Sequence, residues 1–217
     1  GSDSASLRDA SALTIASANV GGSFTLSGGG PIGQSGAIHS GALSVTTTAG
    51  AITLTNTSND LGPVTLVTAG TDNAAIYDAT VLTIASANIG GGLTLSGGAT
   101  IGQSGSIHAA SLNAATTNGA ITLTNSGNAF GTITLSTSGS DSAALADSSA
   151  FTVASANIGG SLSLSGGGAI GQSGAIHAST LNVSTSSGAI TLTNAGNTFG
   201  PITLGTTGTD NASVYDV

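Results

Sequence analysis

The pentapeptide Ile-Gly-Gln-Ser-Gly occurs three times, around Gln34, Gln103 and Gln172, and the whole chain repeats at the same interval of 69 residues. Ser17-Ala18-Asn19 returns as Ser86-Ala87-Asn88 and Ser155-Ala156-Asn157, His39 as His108 and His177, and Asn56 as Asn125 and Asn194. Gly1, Gly70, Gly139 and Gly208 open successive units. These fill 1–69, 70–138 and 139–207, with the first residues of a fourth at 208–217. Self-similarity at a fixed period is the mark of a solenoid or array. It also constrains function, because a chain built three times offers few places for a site built once.

Within a unit the pattern is that of short strands. Leu13-Thr14-Ile15, Phe24-Thr25-Leu26, Leu43-Ser44-Val45, Ile52-Thr53-Leu54 and Val64-Thr65-Leu66 each place a hydroxyl residue between two apolar ones, the alternation of a half-buried strand. Gly28-Gly29-Gly30 and Asn59-Asp60-Leu61-Gly62 supply the turns. Helix is disfavoured by 35 Gly, the abundance of Ser and Thr and the absence of Glu, Lys and Met among the good helix formers. Three frames suggest three coils per unit: Ile76 through Leu82-Thr83-Ile84 to Leu93-Thr94-Leu95, a second from Ile101 through Ile107 and Leu112, and a third from Ile121 to Ile133-Thr134-Leu135.

The expectation is an all-β fold, a right-handed parallel β-helix (β-solenoid) with about three coils of about 23 residues per repeat. Parallel strands stack at ~4.8 Å, so nine coils make a rod roughly 45 Å long. One coil buries too few aliphatic residues to offset its ordering entropy and depends on neighbours above and below. Asn19, Asn56 and their copies are expected at corners, in the left-handed backbone conformation that Asn tolerates.

Composition narrows the function classes. Hydrophobic residues make up 39% and charged ones only 5%, so the chain lacks the high charge of disordered sequences. Arg8 is the only basic residue against nine acidic ones, for a net charge of −8. Nucleic-acid binding and electrostatic attachment to anionic membranes both need basic side chains and are excluded. No apolar run approaches the roughly 20 residues of a membrane span, and no basic region followed by an apolar stretch marks a signal peptide. Zero Cys removes disulfides and thiolate metal sites without fixing a compartment. The repeat framing suggests a segment of a longer array.

Phe24-Thr25-Leu26-Ser27-Gly28-Gly29-Gly30-Pro31-Ile32-Gly33-Gln34-Ser35-Gly36, followed by Ala51-Ile52-Thr53-Leu54-Thr55-Asn56 and Asn59-Asp60-Leu61-Gly62, resembles the repeats of filamentous-haemagglutinin-like exoproteins. Later copies drift, as in Asn128-Ala129-Phe130-Gly131 and Asn197-Thr198-Phe199-Gly200. The resemblance covers nearly the whole chain. It implies a β-helical shaft on a bacterial surface, exported by two-partner secretion.

Motifs for chemistry weigh against an enzyme. Gly28–Gly33 and Gly166–Gly171 match G-x-G-x-x-G, but no helix follows and Ala99 breaks the middle copy, so these are corners and not dinucleotide sites. His39, His108 and His177 point outward as a rank whose members lie ~14 Å apart, too far for a shared metal. Asp72, Asp141 and Asp210 read as turn residues with room for weak calcium binding, without the G-G-x-G-x-D nonapeptide of calcium β-rolls. Asp78, Asp147 and Asp216 also recur singly, leaving no carboxylate pair for glycoside hydrolysis. Thr53-Leu54-Thr55, Thr122-Leu123-Thr124 and Thr191-Leu192-Thr193 could form ice-binding ranks, which the intervening coils would interrupt at Gly33, Ser35 or Tyr77. The sequons at Asn56, Asn182 and Asn211 are those expected by chance in a chain so rich in Ser and Thr.

The expectation is therefore a non-enzymatic spacer of a secreted or surface-attached adhesin, with no catalytic residue, cofactor or metal. Tyr77 and Tyr215 are the candidates for weak ligand contacts. A carbohydrate-binding module and an ice-binding solenoid are the alternatives. Partners would be a surface glycan or other cell-surface ligand and flanking repeats of the same chain, with end-to-end association of the segment and neither nucleic acid nor membrane insertion.

Overall fold

A computed structural model describes residues 1–217. Twenty-two strands and no helix form one continuous ladder, and every pairing is parallel. The chain is a parallel β-helix of about 10 turns.

The register refines the size of a turn. Phe24 pairs with Leu43, Leu43 with Val64 and Val64 with Ile84. In the strand of Ile84, Leu82 pairs with Ile101, which leads to Ile121, Ala143 and Leu162. Seven steps thus join Phe24 to Leu162, its equivalent two units later, so a unit holds three and a half turns. Partners lie 19 to 22 residues apart, shorter than the 23 expected for an even division by three. The half turn has a geometric consequence: equivalent residues of neighbouring units fall on opposite sides of the rod.

Each turn carries one long strand segment and two short ones. On one side Ala74–Asp78 stacks against Leu93 to Gly97 and then Leu112 to Thr116. Opposite them lie bent rows, Leu82 to Ile84 followed by Ala87 to Ile89, and Ile101–Gln103 followed by Ile107 to Ala109. The broad side changes over with every unit. The triplets Leu82-Thr83-Ile84 and Leu93-Thr94-Leu95 belong to a single strand, Leu82–Gly97, which rounds a corner with a register shift between Ile89 and Gly92.

Alternation drives one apolar row inward per strand. Leu54, Ile76, Leu95, Ala114, Leu135, Ala156 and Ile176 form such a file, all buried within a single core of 46 residues. Corners are made by close backbone approach. A Cβ on Gly36 would fall on the carbonyl oxygen of Ala16, and one on Gly105 on that of Ala85. Left-handed backbone is confined to glycine, at Gly50, Gly70 and their copies, and no other residue has a positive φ. That corrects the expectation for asparagine: Asn56 does sit at a corner, bonding Ser58 N at 2.9 Å, but with ordinary φ. Asn19, Asn88 and Asn157 lie within strands, facing out.

Candidate functional site

The most developed polar constellation lies inside the rod. Asn59 is fully buried. Its Oδ1 accepts from Gln34 Nε2 at 2.8 Å and from the amide of Ile38 at 2.9 Å. Its Nδ2 donates to Gln34 Oε1 at 2.9 Å and to the carbonyls of Leu54 and Tyr77 at 3.2 and 3.1 Å. Gln34 Nε2 also bonds Gly36 O at 2.6 Å. Asn128 with Gln103 and Asn197 with Gln172 repeat the arrangement. One amide thus clasps successive turns, and its bonding capacity is filled. The sequence points to Gln34 and its copies but not to Asn59. The available signal was that Asn and Gly alone stay constant in the drifting turn Asn59–Gly62, Asn128–Gly131 and Asn197–Gly200.

The recurrent aspartates are staples of the same kind. Asp72 Oδ2 accepts from the amide of Gly50, a corner residue with φ +88, at 2.6 Å; Asp141 and Asp210 do the same for Gly119 and Gly188. Asp78 is fully buried, with Leu61 N at 3.1 Å on one oxygen and Thr80 N and Oγ1 at 2.8 and 3.0 Å on the other. Burial pushes its carboxyl above the ordinary 3.8, bonds from Thr80 and Leu61 oppose this, and the charge of Asp60 adds to the rise. Asp147 repeats the arrangement with Phe130 and Ser149. Asp216 keeps the bond from Phe199 N at 2.9 Å. Asp9, the first-unit copy, lies on the outermost turn, where bonds from Ser11 hold its carboxyl below the ordinary range.

Outward residues are not gathered in this way. His39 and His177 face one side of the rod and His108 the other, so no histidine rank forms. Each instead stands beside an asparagine of the preceding turn: Asn19, Asn88 or Asn157. Thr53 is flanked in its file by Gly33 and Ala75, and Thr122 by Gly102 and Ala144, so those threonine ranks are interrupted. Tyr77 is half-buried beside Ser96, and Tyr215 is exposed on the last turn. They share one side, seven turns apart; Arg8 holds the equivalent position before them and Ala146 the one between them. Nowhere do three His, Cys, Asp or Glu side chains come together in a way that could hold a metal ion. Gly28–Gly33 and Gly166–Gly171 are corners leading into strands.

A family of repeats of unknown function (DUF5649) matches three times, over residues 2–68, 71–137 and 140–209. The chain belongs to that family. Its matches follow the 69-residue units almost end to end, and its description names no activity. No curated protein and no solved structure matches the chain.

Proposed function

We propose that this member of the repeat family is a rigid spacer, the shaft of a large secreted or surface-attached bacterial adhesin, holding a distal binding region away from its anchor. The observation that carries the reading is the unbroken ladder: every turn bonds the next, and each unit extends the same axis by three and a half turns. At ~4.8 Å per turn a unit contributes ~17 Å of reach. Buried amide clasps and carboxylate staples recur in every unit, so adding units adds length without weakening the joints between them. The resemblance of the glycine-rich segment and its flanking strands to haemagglutinin-like exoprotein repeats supports export to a bacterial surface.

Small-angle scattering on arrays of two, three and six units tests the spacer reading. The maximum dimension should grow linearly, by ~17 Å per unit, with a constant cross-section. Sublinear growth or flexible-chain scattering would refute it. Surface display is tested separately, by antibody labelling of intact cells that express the full-length chain.

A further inference from the structure

We propose that the broad side of the second unit carries a binding groove, built once, for a neutral oligosaccharide. Two outward files run side by side along the axis there: Asn73, Gly92, Ser111 and Thr132, and next to them Ala75, Thr94, Asn113 and Thr134. Between them lies a shallow groove of about 480 Å³ reaching as far as Ala154, a volume within the range of small-molecule sites. It crosses five turns and is therefore ~19 Å long.

Its chemistry points to hydroxyl-bearing ligands. Asn73 spends Oδ1 on the amide of Gly92, at 2.7 Å, and keeps its NH₂ free. The side chains of Thr94, Ser111, Asn113, Thr132 and Thr134 make no hydrogen bond within the protein, so their donors and acceptors face outward uncommitted. No charged side chain lines the groove. An anion or cation would find no counter-charge there, whereas sugar hydroxyls match both amide and hydroxyl partners. Ala75 and Ala154 leave apolar floor for ring faces.

The other two units close the same place. Gly92 is replaced by Ser23 and Ser161, and Thr132 by Pro63 and Pro201. In the third unit Thr180 Oγ1 donates to Ser161 Oγ at 2.6 Å, joining across the gap that Gly92 leaves open. Asn73 gives way to Ser4 and Ser142, whose hydroxyls are taken by the amides of Ser23 and Ser161, both at 3.1 Å. Asn73, Gly92 and Thr132 thus each replace a residue that the other two units share, and the proposal does not depend on the spacer reading.

The test uses the isotope-labelled chain titrated with cellopentaose, laminaripentaose and chitopentaose. At least one should shift the backbone amides of 73–75, 92–94, 111–113 and 132–134. The double variant Gly92→Ser, Thr132→Pro imports the residues of the other units and should keep the circular dichroism spectrum and melting curve while weakening binding at least tenfold. Asn113→Ala, at an exposed side chain with no internal bond, should weaken it as well. Failure of all three sugars to move those amides would overturn the proposal, as would undiminished binding by the variants. Arrest of ice recrystallisation by the unmodified chain but not the double variant, with no sugar binding, would assign the face to ice and overturn it too.

Discussion

A buried amide is tolerable when each of its donors and acceptors has a partner, and costly when one is left without. Asn128 sits on the favourable side of that divide, with partners on three segments of backbone and on Gln103. Asn128→Asp keeps the shape but turns the donor that faces the carbonyls of Leu123 and Ala146 into an acceptor. It should cost about 3 kcal/mol, the upper range for an unsatisfied buried group, seen as a lower urea midpoint; an unchanged midpoint would show the clasp to be incidental. Ser40 is the opposite case. Its hydroxyl is buried without a partner, and the other units place Ala109 and Ala178 there. Ser40→Ala should therefore stabilise the chain by about 1 kcal/mol, checked by the same denaturation curve. Asp78 and Asp9 hold one repeat position with opposite pH behaviour. The folded-state value of Asp78 lies above its unfolded 3.8, so its contribution is fully present below 3.8 and lost as pH rises through the folded value. That of Asp9 is present above 3.8 and lost as pH falls. From about pH 7 to about pH 4 the unmodified chain should gain stability relative to Asp78→Asn; parallel midpoint curves for the two proteins would contradict this.

Strand triplets were legible in the sequence because a half-buried strand writes its pattern every second residue, and Leu13–Ile15, Ile52–Leu54 and Val64–Val67 all form where the alternation places them. Their continuity was not. Leu82-Thr83-Ile84 and Leu93-Thr94-Leu95 read as separate triplets, yet one strand, Leu82–Gly97, joins them through Gly90-Gly91, because only glycine allows the neighbouring carbonyls of Gly70 and Thr71 to come so close. Nor was the length of a turn legible, since pairing register depends on how tightly each corner closes, a tertiary property. Among candidate contacts, Tyr77 and Tyr215 are legible by their chemistry, while the groove at Gly92 is defined by a missing side chain and by neighbours about twenty residues away. Corner geometry yields its own prediction. Gly119 has φ +115, and a Cβ there would meet Thr100 N at 2.7 Å and Oγ1 at 2.8 Å. Its amide also donates to Asp141 Oδ2 at 2.6 Å, so the corner cannot relax freely. Gly119→Ala should cost about 2 kcal/mol, within the range for a strained backbone position, whereas Gly102→Ala, with open space around it, should change the urea midpoint little.

At the scale of the whole rod, a repeat of three and a half turns alternates every feature between two sides, and distances between equivalent residues report it directly. The chain has no cysteine, so His39, His108 and His177, all exposed, can each be replaced by Cys for spin labelling without competing thiols. His39 and His177 lie seven turns apart on one side, an axial separation of ~34 Å. His108 lies midway in height but across the rod, so its distance to either partner combines ~17 Å of rise with the full width of the cross-section. The measured 39–108 and 108–177 distances should be nearly equal, each clearly longer than half the 39–177 distance. A solenoid with a whole number of turns per unit would set the three labels in a line, and the two shorter distances would then add up to the longer one. The same measurement bears on display: a ligand-binding surface repeated in successive units would face opposite directions, whereas one placed in every second unit faces a single way.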